Sequence, residues 1–267
     1  MSRLRQVFAR AREARRKALV IYLTAGDPDH ETSVRLVGAA IDAGADVVEI
    51  GIPWSDPSAD GLTIQAAMHR ALAGGGGIGR ALALTRTVRE SHPDAGLVLF
   101  GYANPIVVMG PEAFAVKARD AGADAVLCVD YPPDEDSLLT SALTRQGLDF
   151  IPLLAPTSTA PRIAAAAAAA GGFIYYVSMT GITGTALANV AAPRAQVEAI
   201  RKATADRLPV VVGFGIKTPD AAREVAAFAD GVVVGSAAVD VVRRAVDAKS
   251  DPVPELSAFV RSLRAVV

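Results

Sequence analysis

The chain of 267 residues is 51% hydrophobic and 21% charged, with a formal net charge of −1. That composition excludes an extensively disordered chain and a duplex-binding protein with an extended basic face. Cys128 is the single cysteine, which excludes an intrachain disulfide and fits a reducing, cytoplasmic setting.

The opening segment, MSRLRQVFARARE, patterns as an amphipathic helix without the apolar centre of a signal peptide. Its basic cluster, Arg10, Arg12, Arg15, Arg16 and Lys17, reads as a solvated helix face leading into a strand. No apolar run approaches a membrane span. Eight short apolar runs follow, at 18–24, 45–51, 96–102, 123–130, 148–156, 172–179, 208–216 and 230–236. Most are continuously apolar, as parallel strands covered on both faces are.

Helical segments lie between the runs. Asp27 or Asp29 caps the first of them and Gly44 ends it; Thr218 precedes Pro219 at the first turn of a later one. The phrase AGAD, at 43–46 and again at 121–124, joins a helix end to a strand each time. Eight strands alternating with helices predict an α/β fold, a (β/α)8 TIM barrel over residues 1–267 as a single domain with an extra N-terminal helix. An open dinucleotide-binding sheet is disfavoured, because the first turn, LTAGDPD, has no glycine fingerprint.

In a barrel the chemistry sits at the C-terminal ends of the strands. Those ends carry Thr24, Asp27, Glu49, Tyr102, Asn104, Asp130, Tyr175 and Ser178. Glu49 stands out as an acid inside an apolar strand, where it needs either a buried ion-pair partner or a raised pKa suited to proton transfer. Asp56 and Asp60 follow in the loop PWSDPSADG and, read alone, are turn caps. Glycines cluster in two adjacent turns, GFGIKTPD and VVVGSAA, the place where barrels bind phosphate on backbone amides. Gly213, Gly215, Gly235 and Ser236, with Gly184, form that candidate phosphate site. His30, His69 and His92 have no metal-ligand spacing, and no Gly-x-Ser-x-Gly elbow is present, so carboxylates are left to move protons.

The strings LTAGDPD, AGADVVEIGIPWSDPSADG, ADAVLCVDYPP, LLAPTST, YYVSMTGITG, GFGIKTP and GSAAV, in this order, resemble the tryptophan synthase α subunit family along nearly the whole chain. The resemblance implies retro-aldol cleavage of indole-3-glycerol phosphate to indole and glyceraldehyde 3-phosphate. It implies Glu49 and Asp60 as catalytic carboxylates, Tyr175 and Tyr102 as substrate-positioning residues, and Thr183 as an Asp60 partner on a closing lid. Phe214 joins Gly184, Gly213, Gly215, Gly235 and Ser236 in the phosphate cradle. The resemblance further implies no cofactor in this chain, and a pyridoxal-phosphate β subunit as partner in an α2β2 heterotetramer, met through the loop of Pro53 and Asp56. Trp54, Ser58, Leu62 and Met179 depart from the usual family residues without removing a catalytic group. A stand-alone indole-releasing lyase, another phosphate-binding barrel enzyme and a catalytically idle phosphate-binding regulator are the alternatives.

Overall fold

The computed structural model describes residues 2–132, 137–177, 191–213 and 215–267. In chain order the elements are α1 (Arg3–Glu13), β1 (Ala18–Thr24), α2 (His30–Asp42), β2 (Val47–Gly51), α3 (Leu62–Ala73), α4 (Ile78–Ser91), β3 (Gly96–Gly101), α5 (Ala103–Met109), α6 (Pro111–Asp120) and β4 (Ala125–Cys128). There follow α7 (Leu138–Arg145), β5 (Asp149–Phe150), β6 (Leu153–Leu154), α8 (Ala160–Ala169), β7 (Ile174–Val177), α9 (Ala191–Thr204), β8 (Val210–Gly213), α10 (Pro219–Ala226), β9 (Gly231–Val234), α11 (Ser236–Asp247) and α12 (Pro252–Arg264).

The strands are all parallel, in the order β5-β4-β3-β2-β1-β9-β8-β7-β6. The run expected at 148–156 is split into β5 and β6 at Ile151 and Pro152. Proline has no N–H to continue a ladder, and the two residues bond to opposite neighbours. Ile151 N donates to Val126 O (2.9 Å), and Pro152 O accepts from Tyr175 N (3.1 Å). Both ends of the sheet therefore meet in one stave, and the barrel closes.

Side-chain parity separates two cores. Leu19, Ile21 and Leu23 of β1 and Val48 and Ile50 of β2 face the helices. Val20 and Tyr22 of β1, Val47 of β2, and Val98 and Phe100 of β3 fill the barrel interior. Glu49 has the parity of Val47, so its carboxyl points inward. The extra helix α1 plugs the end of the barrel where the strands begin: Leu4, Val7 and Phe8 join the interior cluster, and the Phe8 and Phe173 rings lie 5.5 Å apart.

The same end explains AGAD. Asp46 and Asp124, each just before a strand, donate backbone N–H to Leu19 O and Leu97 O (2.9 Å each). Their carboxylates accept from Leu19 N (2.9 Å) and Leu97 N (2.8 Å) in return. Asp230 repeats the device with Val210. Arginines close over these acids: Arg16 and Arg264 on Asp46, Arg3 and Arg89 on Asp124, Arg201 on Asp230. The basic cluster is thus only partly a solvated face. Arg16 is an ion-pair partner, and Arg10 donates to Asp94 O at 2.9 Å.

Candidate active site

Glu49 lies on β2, 1% exposed, opposite Tyr22 of β1 and Val98 of β3. Its Oε1 is buried and has no hydrogen-bond partner among the described residues. Burial, with the Asp60 charge adding to it, pushes the carboxyl up to about 8. An acid held protonated near neutrality in this way is suited to giving and retaking a proton.

Asp60 is brought back over the strand ends by the loop after β2. Ile52 N donates to Phe100 O (2.7 Å), Asp60 N to Pro57 O (3.1 Å), and Gln65 Nε2 to Asp60 O (2.8 Å). Tyr102, at the end of β3, donates its hydroxyl to Asp60 Oδ2 at 2.6 Å and accepts from Ala59 N at 3.1 Å. Asp60 is half-buried; burial raises its pKa and the Tyr102 hydrogen bond works against that rise. Tyr102 thereby positions an acid directly.

Two further tyrosines point inward beside the acids. Tyr175 on β7 is buried; burial and then the charges of Glu49 and Asp60 hold its phenol protonated. A Cβ on Gly213 would lie 2.2 Å from Tyr175 Oη, so the glycine on β8 makes room for that hydroxyl. Tyr22 repeats the arrangement: a Cβ on Gly51 would lie 2.2 Å from Tyr22 Oη. Strand-end reading misses Tyr22, because an aromatic side chain inside the apolar run of β1 reads as core where an acid at the same depth in β2 does not; the inward parity of position 22 is the signal that finds it.

Around the rim, Gly235 is the N-cap of α11 and Ser236 its first residue. Among the described residues no side chain caps the first-turn amides, and no acid lies in that turn. Gly215 has φ +75°, a backbone state that favours glycine. Thr183, Gly184 and Phe214 lie outside the described residues. Pro53 is buried, whereas Asp56 is exposed on the loop. Among the described residues no cluster of three or more His, Cys, Asp or Glu side chains could hold a metal ion.

A family model described as tryptophan synthase alpha chain matches residues 8–267. The tryptophan synthase alpha chain of Geobacter sulfurreducens is 47% identical over 267 residues, covering 100% of this chain and 99% of that one. The chain of the same name from Burkholderia thailandensis is 46% identical, over 100% and 97%.

The chain belongs to the tryptophan synthase alpha chain family.

Solved structures agree. The tryptophan synthase subunit alpha of Legionella pneumophila superposes with a TM-score of 0.92 at 39% identity, over 100% of this chain and 98% of that one. A chain of Mycobacterium tuberculosis tryptophan synthase gives 0.89 at 36%, over 100% and 98%. The fold is the TIM barrel of the tryptophan synthase alpha chains. The activity is that family's carbon–carbon lyase reaction in tryptophan biosynthesis, the cleavage of indole-3-glycerol phosphate.

Proposed function

We propose that Glu49 and Asp60 carry the two proton-handling roles of this cleavage. The observation that supports the assignment above all others is the buried Glu49 carboxyl, unpartnered at Oε1 among the described residues and raised to about 8 beside a second acid. Glu49 gives its proton to indole C3, which turns the ring into its own electron sink. The carboxylate so formed takes the proton of the adjacent glycerol hydroxyl as the carbon–carbon bond breaks to indole and aldehyde. Asp60 accepts the indole N–H and stabilises the positive charge that develops there.

Tyr175 positions the glycerol chain, and Tyr102 holds Asp60 at hydrogen-bond distance. The phosphate lies on the uncapped amides at the start of α11, with Gly235 and Ser236, and against the turn of Gly213 and Gly215; Gly184 and Phe214 belong to the same cradle. The lid residue Thr183 bonds Asp60 on closure. No cofactor is assigned to this chain.

The partner is a pyridoxal-phosphate β subunit in an α2β2 heterotetramer in the cytoplasm. The observation that supports this reading is exposed apolar surface on elements that follow strand ends: Leu62, 83% exposed, opens α3 six residues after Asp56, and Val107 and Val108, 63% and 81% exposed, lie on α5 directly after β3. Pro53, being buried, shapes the loop from beneath. No helix among the described residues is long and apolar enough to cross a membrane.

Glu49→Gln is expected to abolish indole release from indole-3-glycerol phosphate, by about three orders of magnitude or more, with substrate binding retained. Turnover retained by that variant removes Glu49 from the chemistry. Asp60→Asn is expected to cost at least about tenfold in kcat; a near-normal rate reduces Asp60 to a turn cap.

A further inference from the structure

Among the described residues Glu49 Oε1 is a buried oxygen without a donor, and once the acid has given up its proton that oxygen carries charge. A buried carboxylate left unsatisfied is costly, so a donor must be in reach. Asp60 already has its own donor in Tyr102.

Tyr22 is the register partner of Glu49 on the neighbouring strand, so the two side chains stand side by side on the inner face, with strands about 4.8 Å apart. The phenol leans toward the strand end, and its hydroxyl occupies the side-chain space of Gly51. Gly51 is two residues beyond Glu49 on the same face of β2, so the hydroxyl roofs the Glu49 stem. The ring is fixed edge-on against Phe100, with centroids 5.1 Å apart. The hydroxyl has one described contact, Thr24 Oγ1 at 3.3 Å, long for a bond between hydroxyls. Burial and the charges of Asp60, Glu49 and Tyr102 keep it protonated, hence a donor.

We propose that Tyr22 is a further positioning residue for the lyase reaction, its hydroxyl turning from Thr24 to Glu49 Oε1 when Glu49 has passed its proton to the substrate. The proton balance is unchanged: Glu49 loses a proton to C3 and regains one from the glycerol hydroxyl, while the Tyr22 O–H only rotates. Gly51 is the residue that makes the position available. This inference rests on the reading of Glu49 as the proton shuttle.

The test is the pH profile of indole release by Tyr22→Phe, which keeps the ring and its contact with Phe100. The expected result is a fall in kcat of about tenfold or more with KM little changed. The alkaline limb, where Glu49 no longer holds its proton, should move up by about one pH unit, because a donor that favoured the carboxylate is gone. Three results overturn the proposal: unchanged kcat, a loss of kcat with the limb unmoved, or a limb that moves in Tyr175→Phe and not in Tyr22→Phe. Glu49→Gln in the same assay keeps the two ideas apart. Turnover by that variant defeats the Glu49 reading itself, whereas its inactivity beside a normal Tyr22→Phe defeats the Tyr22 proposal alone.

Discussion

Glu49 and Asp60 are eleven positions apart in one short motif, yet they are held by unlike means. Glu49 is fixed by strand parity in the buried barrel interior; Asp60 is carried on a loop and fixed by Tyr102. The first was legible in the sequence, since an acid inside a run of β-branched residues has few explanations. Asp60 was legible only through the family resemblance, because an aspartate among Pro, Ser and Gly, read alone, looks like a turn residue until the loop is seen to fold back. The glycines were legible only as glycines: Gly213 was read for a phosphate, and the structure adds that its missing side chain leaves room for Tyr175 Oη. The raised pKa of Glu49 also has a stability consequence. The folded chain holds that proton up to about pH 8, whereas the unfolded chain loses it in the ordinary carboxyl range near pH 4.3. The Glu49 contribution to stability is therefore fully present below that range and is lost as pH rises through about 8. Glu49→Gln, which cannot ionise, should gain stability over the natural chain across that window, by up to about 1.4 kcal/mol per pH unit. Denaturant unfolding at pH 5 and pH 8.5 checks this, and a difference that does not change between the two pH values contradicts it.

At the scale of elements, the alternation of strands and helices was readable throughout, because continuous apolar runs and helix caps are local. Asp29 does cap α2, accepting from Thr32 N at 2.8 Å, and Thr218 caps α10. The split of one expected strand into β5 and β6 was not readable, since the two halves serve different neighbours across a barrel that is closed only in space. The AGAD repeat was visible as a phrase, and its meaning lies in contacts between strands. Asp124 is 6% exposed and serves Leu97 N, Arg89 and Arg3 together. Asp124→Ala takes the acceptor from Arg89 Nη2, from Arg3 and from the Leu97 N–H, although Arg89 keeps its backbone carbonyl partners, and should cost about 3 kcal/mol in denaturant unfolding. Asp120→Ala removes an exposed pair with Arg119 and should cost less than about 1 kcal/mol. Equal costs would show that the ends of the strands are not tied by these acids.

Across the whole molecule the two ends of the barrel divide the work. The end where strands begin holds α1, the Asp46, Asp124 and Asp230 devices and their arginines. The opposite end holds Glu49, Asp60, Tyr102, the start of α11 and the exposed apolar residues Leu62, Val107 and Val108. Order along the chain hides this division, because every strand contributes to both ends. Closure of the barrel converts it into one stabilising face and one reacting face. The reacting face works as described only if Glu49 keeps its proton at neutral pH in the free protein. The side-chain carboxyl of Glu49, followed by carbon-13 NMR and assigned by its disappearance in Glu49→Gln, is predicted to titrate with a midpoint of about 8. A midpoint near the ordinary value of 4.5 would contradict the proton shuttle.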